Sequence, residues 1–403
     1  MKVFFLFLSV LTSLLGFIYY YSTFRLIQGL SLNGPIVTMI LLGIGALVLL
    51  VPVTYIFSRV SKREKTQTFF AYLSFTNFGF FSILFTLVLV MDLLRIVNLG
   101  VISDYSQFLF TTLLRFGIPI DGVTEVKNFS LAFSTIVVAT ALSSLGFYNA
   151  HVRLLIKQTK IPVNNLHPNL QNFKIVQISD VHIGPTIKER FLRRVVGKIN
   201  AQNPDVVVIT GDLVDGPAAT LKHHLKPLAD IKSQYGTYYV TGNHEYYSGV
   251  LSWLPEIESL GIHVLLNANK KIQVGEAQLL IAGVTDLTAG SMIKSHQTNP
   301  KRAMEGGENC DYKILLAHQP NSIYEANAVG FDLQISGHTH GGQFFPGNFL
   351  IYFAQKFVAG LHRYKGTQIY VSRGTGYWGP PFRLGAPSEI SVLSLQDAES
   401  SIR

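Results

Sequence analysis

Five stretches in the second part of the chain combine residue types that hold metal ions. They are Asp180-Val181-His182, Gly211-Asp212, Gly242-Asn243-His244-Glu245, the isolated His318, and His338-Thr339-His340. Each directly follows a short β-rich apolar run, and side chains at the carboxyl ends of separate strands can converge on one pocket. Residues i and i+2 of an extended chain face the same way, so Asp180/His182 and His338/His340 each offer two groups to one place. Counted as Asp180, His182, Asp212, Asn243, His318, His338 and His340, the donor set is two carboxylates, an amide and four imidazoles, with no thiolate. Such a set suits Mn²⁺, Fe or Zn²⁺ better than Ca²⁺ or Mg²⁺, which favour all-oxygen shells. Seven donors are too many for one four- to six-coordinate ion with an open position, and fit two ions that share a carboxylate.

The runs that must carry these groups alternate with helical segments. Phe173–Asp180, Asp205–Asp212 and Thr237–Asn243 read as buried-type strands, and Ile187–Gln202 has helical spacing with Phe191, Val195, Val196 and Ile199 on one face. Further β-rich runs follow at Ile262–Leu266, Gln278–Val284, Tyr312–Ala317, Phe331–Ser336, Thr367–Ser372 and Glu389–Leu395. Strand–helix alternation predicts an α/β domain, and the late strands with few helices predict a second, more mixed sheet. Residues 287–311 have few apolar side chains and read as a loop able to act as a lid.

The order D-x-H, G-D-x-x-D, G-N-H-E, a lone histidine after an apolar strand, and G-H-T-H resembles the calcineurin-like metallophosphoesterase superfamily, over Phe173 to Leu395. The extension G-H-T-H-G-G-Q, the later "SRGTGYWG" and "RLGAPSEI", and the apolar first part resemble its bacterial transmembrane branch. Some members of that branch hydrolyse a nucleotide–lipid pyrophosphate, UDP-diacylglucosamine. The resemblance implies one divalent ion on Asp180, His182, Asp212 and His340, and a second on Asp212, Asn243, His318 and His338. It makes His244 the acid at the leaving group, and gives Asp215 a place in the pattern outside the ligand set. The implied reaction is hydrolysis of a phosphodiester, phosphomonoester or pyrophosphate by a hydroxide bridging two ions. Asp286, Arg373 and Arg383 follow late strands and are candidates for substrate binding, the arginines as bidentate phosphate ligands. Tyr377 and Trp378 read as part of a packed loop.

The first part of the chain has a different composition. Residues 1–150 hold only nine Lys/Arg and five Asp/Glu; residues 151–403 hold the remaining 24 and 19. Four stretches of spanning length lack any Asp, Glu, Lys or Arg: Val3–Ser22, Pro35–Phe57, Phe69–Met91 and Ser130–Ala150. A bilayer core needs about 20 apolar residues as helix, so a four-span bundle is expected over 1–150. A fifth apolar run, Tyr105–Ile118, is shorter and carries Arg115, which reads as interfacial or re-entrant. Arg59, Lys62, Arg63 and Lys65 crowd the second connection, and Arg153, Lys157 and Lys160 follow the fourth span. Positive residues favour the cytoplasmic side, which predicts an inward amino terminus and a cytoplasmic catalytic domain at residues 171–403. The resemblance makes a bacterial inner membrane the expected location. Residues 151–170 read as a basic juxtamembrane linker.

The expected fold is therefore a transmembrane helical bundle followed by an α/β two-sheet sandwich of metallophosphoesterase type. The expected partners are a phosphate ester, with a lipid-linked one in view, and the bilayer. The soluble part has no basic run with interleaved aromatics, so no nucleic-acid partner is expected. A transporter or channel with a regulatory phosphoesterase-like domain is the alternative, and the absence of charged groups within the four runs argues against it.

Overall fold

A computed structural model describes residues 2–60, 63–97 and 122–398, with scattered positions from 106 to 115. Half of the run Tyr105–Ile118 therefore falls outside the described residues. The chain divides into two compact units, residues 1–147 with 379–382, and residues 148–378 with 383–403.

Among the described residues the first unit contains four long helices, α1 (Lys2–Gly29), α2 (Pro35–Val60), α3 (Glu64–Val97) and α4 (Val123–His151), the last continuing into the second unit. Among the described residues three stretches are long and apolar enough to cross a membrane: Pro35–Thr54, Glu64–Ile96 and Val123–His151. The expectation of four spans is thus met by three. Leu15, Tyr19, Phe81, Leu84, Val88 and Ala139 share a buried core, whereas Met39 and Leu42 on α2 face outward. Asp92 is the polar centre of this unit, paired with Arg25 at 2.6 Å and Arg95 at 3.3 Å. Charged groups among apolar helices persist when they pair in this way.

Two six-stranded sheets build the second unit. The first contains β1 (Leu154–Val163), β2 (Lys174–Ile178), β3 (Val206–Thr210), β4 (Thr237–Val240), β5 (His263–Val264) and β12 (Ser388–Asp397), in the order β1-β12-β2-β3-β4-β5. The second contains β6 (Ala268–Val274), β7 (Ala277–Gly283), β8 (Tyr312–Leu316), β9 (Leu333–Ser336), β10 (Gly360–Tyr364) and β11 (Thr367–Val371), in the order β10-β11-β9-β8-β7-β6. The central strands β2, β3 and β4 run parallel, as do β7, β8, β9 and β11. All five residues of β3 are buried, as a parallel strand covered on both faces requires. Ile175, Val206 and Val208 meet Leu279, Ile314 and Ile335 in one core between the sheets. The outer face of the first sheet buries Val207 and Ile209 against Leu192, Val195 and Trp253 of flanking helices. The second sheet buries Leu280 and Leu315 against Met304, Ala326 and Phe331.

Two segments differ from the sequence expectation, and a third had none. The basic stretch 151–170, read as a linker, contains β1, which pairs in parallel with β12 from Leu154↔Ser388 to Val163↔Asp397. Its partner lies more than 200 residues away, so no local signal marks it as a strand. Residues 287–311 hold short helices rather than an open loop: Ala289–Met292, Lys294–His296 and Pro300–Met304, the last burying Pro300, Ala303 and Met304. A helix also follows the GHTH motif, at Gly347–Ala354.

Candidate metal centre

The carboxyl ends of β2, β3, β4, β8 and β9 converge, and each delivers its motif to one pocket. Asp180 and His182 come from the loop after β2, Asp212 from that after β3. Asn243 and His244 begin the short helix Asn243–Tyr247 after β4. The loops are laced by backbone hydrogen bonds, Asp180 N–H to Gly211 O at 3.0 Å and His182 N–H to Asp212 O at 3.0 Å. Five of the seven proposed ligands sit at positive φ: Asp180 (53°), His182 (54°), Asp212 (50°), His338 (72°) and His340 (52°). A left-handed backbone costs a non-glycine residue roughly 1–2 kcal/mol. Such conformations cluster where function demands a side chain in an exact place.

In this pocket three triads have ligand atoms within 4.8 Å of one another: Asp180, His182 and His340; His182, Asp212 and His244; and Asp212, His318 and His338. His182 Nε2 and His340 Nε2 face each other at 3.0 Å, and Asp180 Oδ1 lies 3.4 Å from His340 Nε2. On the other side His338 Nδ1 is 3.2 Å from His318 Nε2. Asp212 Oδ2 lies 3.2 Å from His318 Nε2 and 3.9 Å from His182 Nε2, so one oxygen serves both groups.

The donor set fits divalent metal ions. Imidazole nitrogens and carboxylate oxygens point inward at one another. Asn243 Oδ1 is buried with no hydrogen-bond partner, a costly state for an amide oxygen unless something electropositive meets it.

The ring orientations follow from contacts on the far nitrogens. His318 donates from Nδ1 to Thr210 O at 2.8 Å, which turns Nε2 towards the pocket and the Asp212 carboxylate. A carboxylate accepts only, so Asp215 fixes the proton on Nδ1 of His182, at 3.1 Å, and likewise on Nδ1 of His244. Orienting a ligand histidine through its second nitrogen is the general device of metal centres.

Electrostatics are strongly perturbed. Burial would raise the Asp212 carboxyl, but His318, His182 and His244 outweigh it and hold it far below the usual range. Burial opposes the charge on Asp215 too, yet His182 and His244 bring it down to about 2. His244 is desolvated, which disfavours its cation, but Asp215 and Asp212 push it up to about 9. His340 is driven well down by burial and by the adjacent Arg383. Glu245 is buried, and its carboxylate accepts the backbone N–H groups of Gly242, Asp212, Leu213 and Val214. It clamps the β3 and β4 loops together, a role carried by the G-N-H-E motif but not apparent from it.

The three substrate-binding candidates lie in different surroundings. The Arg373 side chain is one-third exposed and pairs with Glu389 at 3.3 Å. Arg383 is fully buried. Its guanidinium donates to the carbonyls of Gly376, Arg373, His340 and Ala386, and reaches His340 Nδ1 at 3.0 Å. No donor of Arg383 is left facing outward. Asp286 is buried, accepting from Thr288 N–H at 2.8 Å and from Gln319 at 2.9 Å. Tyr377 is buried, but Trp378 is more than half exposed and meets the His244 ring edge-on with centroids 5.6 Å apart.

Residues 173–342 match the family model for calcineurin-like phosphoesterases. A transmembrane protein with metallophosphoesterase domain from Bos taurus is 37% identical over 312 residues, covering 74% of this chain and 70% of that protein. A protein of the same name from Danio rerio is 36% identical, covering 67% of this chain and 64% of its own length. An uncharacterized metallophosphoesterase from Campylobacter jejuni is 39% identical, covering 65% and 69%. Strand ends that gather these imidazoles and carboxylates, together with relatives of this identity and coverage, show that the chain belongs to the calcineurin-like metallophosphoesterases and is a membrane-associated, metal-dependent phosphoester hydrolase.

Proposed function

We propose that the chain works as a dinuclear phosphoesterase on an amphiphilic phosphate ester or pyrophosphate held at a bilayer. Asp180, His182, Asp212 and His340 hold one ion, and Asp212, Asn243, His318 and His338 hold the other. The observation that carries this reading is Asp212 Oδ2, whose position within reach of both His182 and His318 suits a carboxylate shared by two ions. Bound there, a pair of divalent ions supplies an activated water and offsets charge on the phosphoryl oxygens. The metals are Mn, Fe or Zn.

The residues of the chain do the rest. His244 carries its proton on Nε2 as well as Nδ1, because Asp215 and Asp212 favour the imidazolium. From Nε2 that proton passes to the departing oxygen as the ester bond breaks. General-acid help of this kind contributes about 10²–10⁴ in rate. Arg373 and the exposed face of Trp378 bound the open side, where the leaving group or its organic part lies. Arg383 acts as a positioning residue through His340, and Asp286 shapes the loop beside His318 through Gln319 rather than touching substrate.

The lipid-linked substrate is favoured by the tether, which raises the local concentration of bilayer molecules. A UDP-diacylglucosamine-like molecule has the required headgroup. In the same reading α1 is a fourth crossing and the catalytic unit faces the cytoplasm of a bacterial inner membrane. The test is metal analysis of the purified chain with hydrolysis of bis-p-nitrophenyl phosphate in Mn²⁺. Close to two ions per chain and metal-dependent turnover are expected; no bound metal and no turnover would overturn the reading.

A further inference from the structure

The helix Gly347–Ala354 buries none of its eight residues. Phe349, Leu350 and Tyr352 are each about three-fifths exposed, and Phe353 is 90% exposed. Contiguous exposed apolar groups of this size mark a binding surface for a protein or a membrane.

The helix is rooted on the metal-binding loop. A Cβ on Gly342 would fall 2.3 Å from Gly347 O and 2.4 Å from Asn348 Cα, so the backbones touch where the helix starts. Beyond its end, Thr339 donates from Oγ1 to Val358 O at 2.6 Å, and Thr339 stands between His338 and His340. Gln343 and Trp378 exchange hydrogen bonds at 2.8 Å, which ties the start of this excursion to the aromatic beside His244.

Charge identifies the occupant. From residue 333 to residue 388 there is no Asp or Glu, while Lys356, Arg363, Lys365, Arg373 and Arg383 fall in that span. Lys356, Arg363 and Lys365 are exposed beside the helix and on the β10–β11 hairpin. Exposed Phe, Leu and Tyr with cations close behind them in the chain suit the headgroup boundary of an anionic bilayer, where apolar side chains sink about 5–10 Å and basic ones meet lipid phosphates. A two-turn helix offers a folded protein partner little area to grip.

We propose that Gly347–Ala354 is an interfacial helix that dips into an anionic membrane surface and holds the mouth of the metal centre at the level of lipid headgroup phosphates. The inference concerns binding rather than turnover and does not depend on the dinuclear reading.

The test uses the full chain in vesicles of phosphatidylcholine and phosphatidylglycerol in equal parts, some lipids carrying an acyl-chain nitroxide. In a Cys310→Ala background, a dye is attached at Phe353→Cys or, as control, at Asn309→Cys. Asn309 precedes β8 and so lies at the strand end opposite the metal centre. Nitroxide quenching about threefold or more stronger at 353 than at 309 is expected for an inserted side chain, weakening when phosphatidylglycerol is omitted. Equal quenching by lipid nitroxide at both positions, with full access of acrylamide to 353, would overturn the proposal. Shielding of 353 from both quenchers would overturn it too, because a protein surface would then be the occupant. Since no step is catalytic, an inactive preparation leaves the readout intact.

Discussion

The Asp215 carboxylate meets His244 at Nδ1 with one oxygen and His182 at Nδ1 with the other. One acidic side chain thus fixes the tautomer of a proposed ligand and raises the proton affinity of the proposed acid. Asp215→Asn keeps the shape but removes the charge. Its pull on His244 is upward, so its loss lowers the His244 pKa, and the acid form disappears at lower pH. The alkaline limb of the kcat/KM profile is expected to move to lower pH, with turnover reduced about 10–100-fold. A pH profile of hydrolysis of a small phosphodiester in Mn²⁺ checks both.

His244→Ala removes the proton donor without touching a proposed ligand. Turnover is expected to fall by about 10²–10⁴ while metal content stays at the wild-type value. Asp212→Asn is expected to lose both metal and turnover. Elemental analysis beside the rate measurement separates the two cases, and wild-type turnover in His244→Ala would remove its assigned role.

Gly242 sits where a side chain cannot fit: a Cβ there would lie 2.2 Å from Asp212 Oδ1 and 2.6 Å from Asp212 N. Gly242→Ala is therefore expected to displace the shared carboxylate and cut metal affinity by about tenfold or more. Titration with Mn²⁺ followed by thermal unfolding reads this as a loss of metal-induced stabilisation.

Arg383 joins four carbonyls and a histidine in a site closed to solvent. A lysine has a single ammonium and cannot reproduce the planar fork. Arg383→Lys leaves buried acceptors unmet and is expected to destabilise the catalytic unit by about 2–4 kcal/mol. That corresponds to a fall of about 5–15 °C in its melting midpoint, measurable by scanning calorimetry of the detergent-solubilised chain.

For the membrane part, an impermeant maleimide is expected to label Ser31→Cys in intact cells, and Lys65→Cys only after permeabilisation. A tag ahead of Met1 should behave like Lys65→Cys if α1 crosses. The opposite labelling pattern would reverse the proposed orientation.

Much of the gathering of these donors was legible in the chain because they follow short apolar runs of strand type. Asp180, Asp212, His318 and His338 each stand a few residues past a stretch such as Val206–Thr210, whose every side chain is buried. Such a strand ends where its apolar residues end, so the next polar groups must lie at its tip. The long uncharged runs announced membrane helices for the same reason: only a bilayer or a large core tolerates them, and length decides between these. Asp215 is different. Its motif position was visible, but its choice of His182 and His244 as partners depends on how two loops lie against each other. Arg383 shows the same limit: in sequence an arginine among glycines and prolines resembles a phosphate ligand, and only the packing turns its guanidinium inward to His340. β1 needed β12, and neither strand names the other locally. Residue type and local periodicity thus determined the metal-type donors, the strand ends and the membrane-like first part, and the expected reaction came from the resemblance of the motifs. The partners of each polar group were decided by the tertiary structure, because hydrogen bonds and burial depend on side chains brought together from distant parts of the chain.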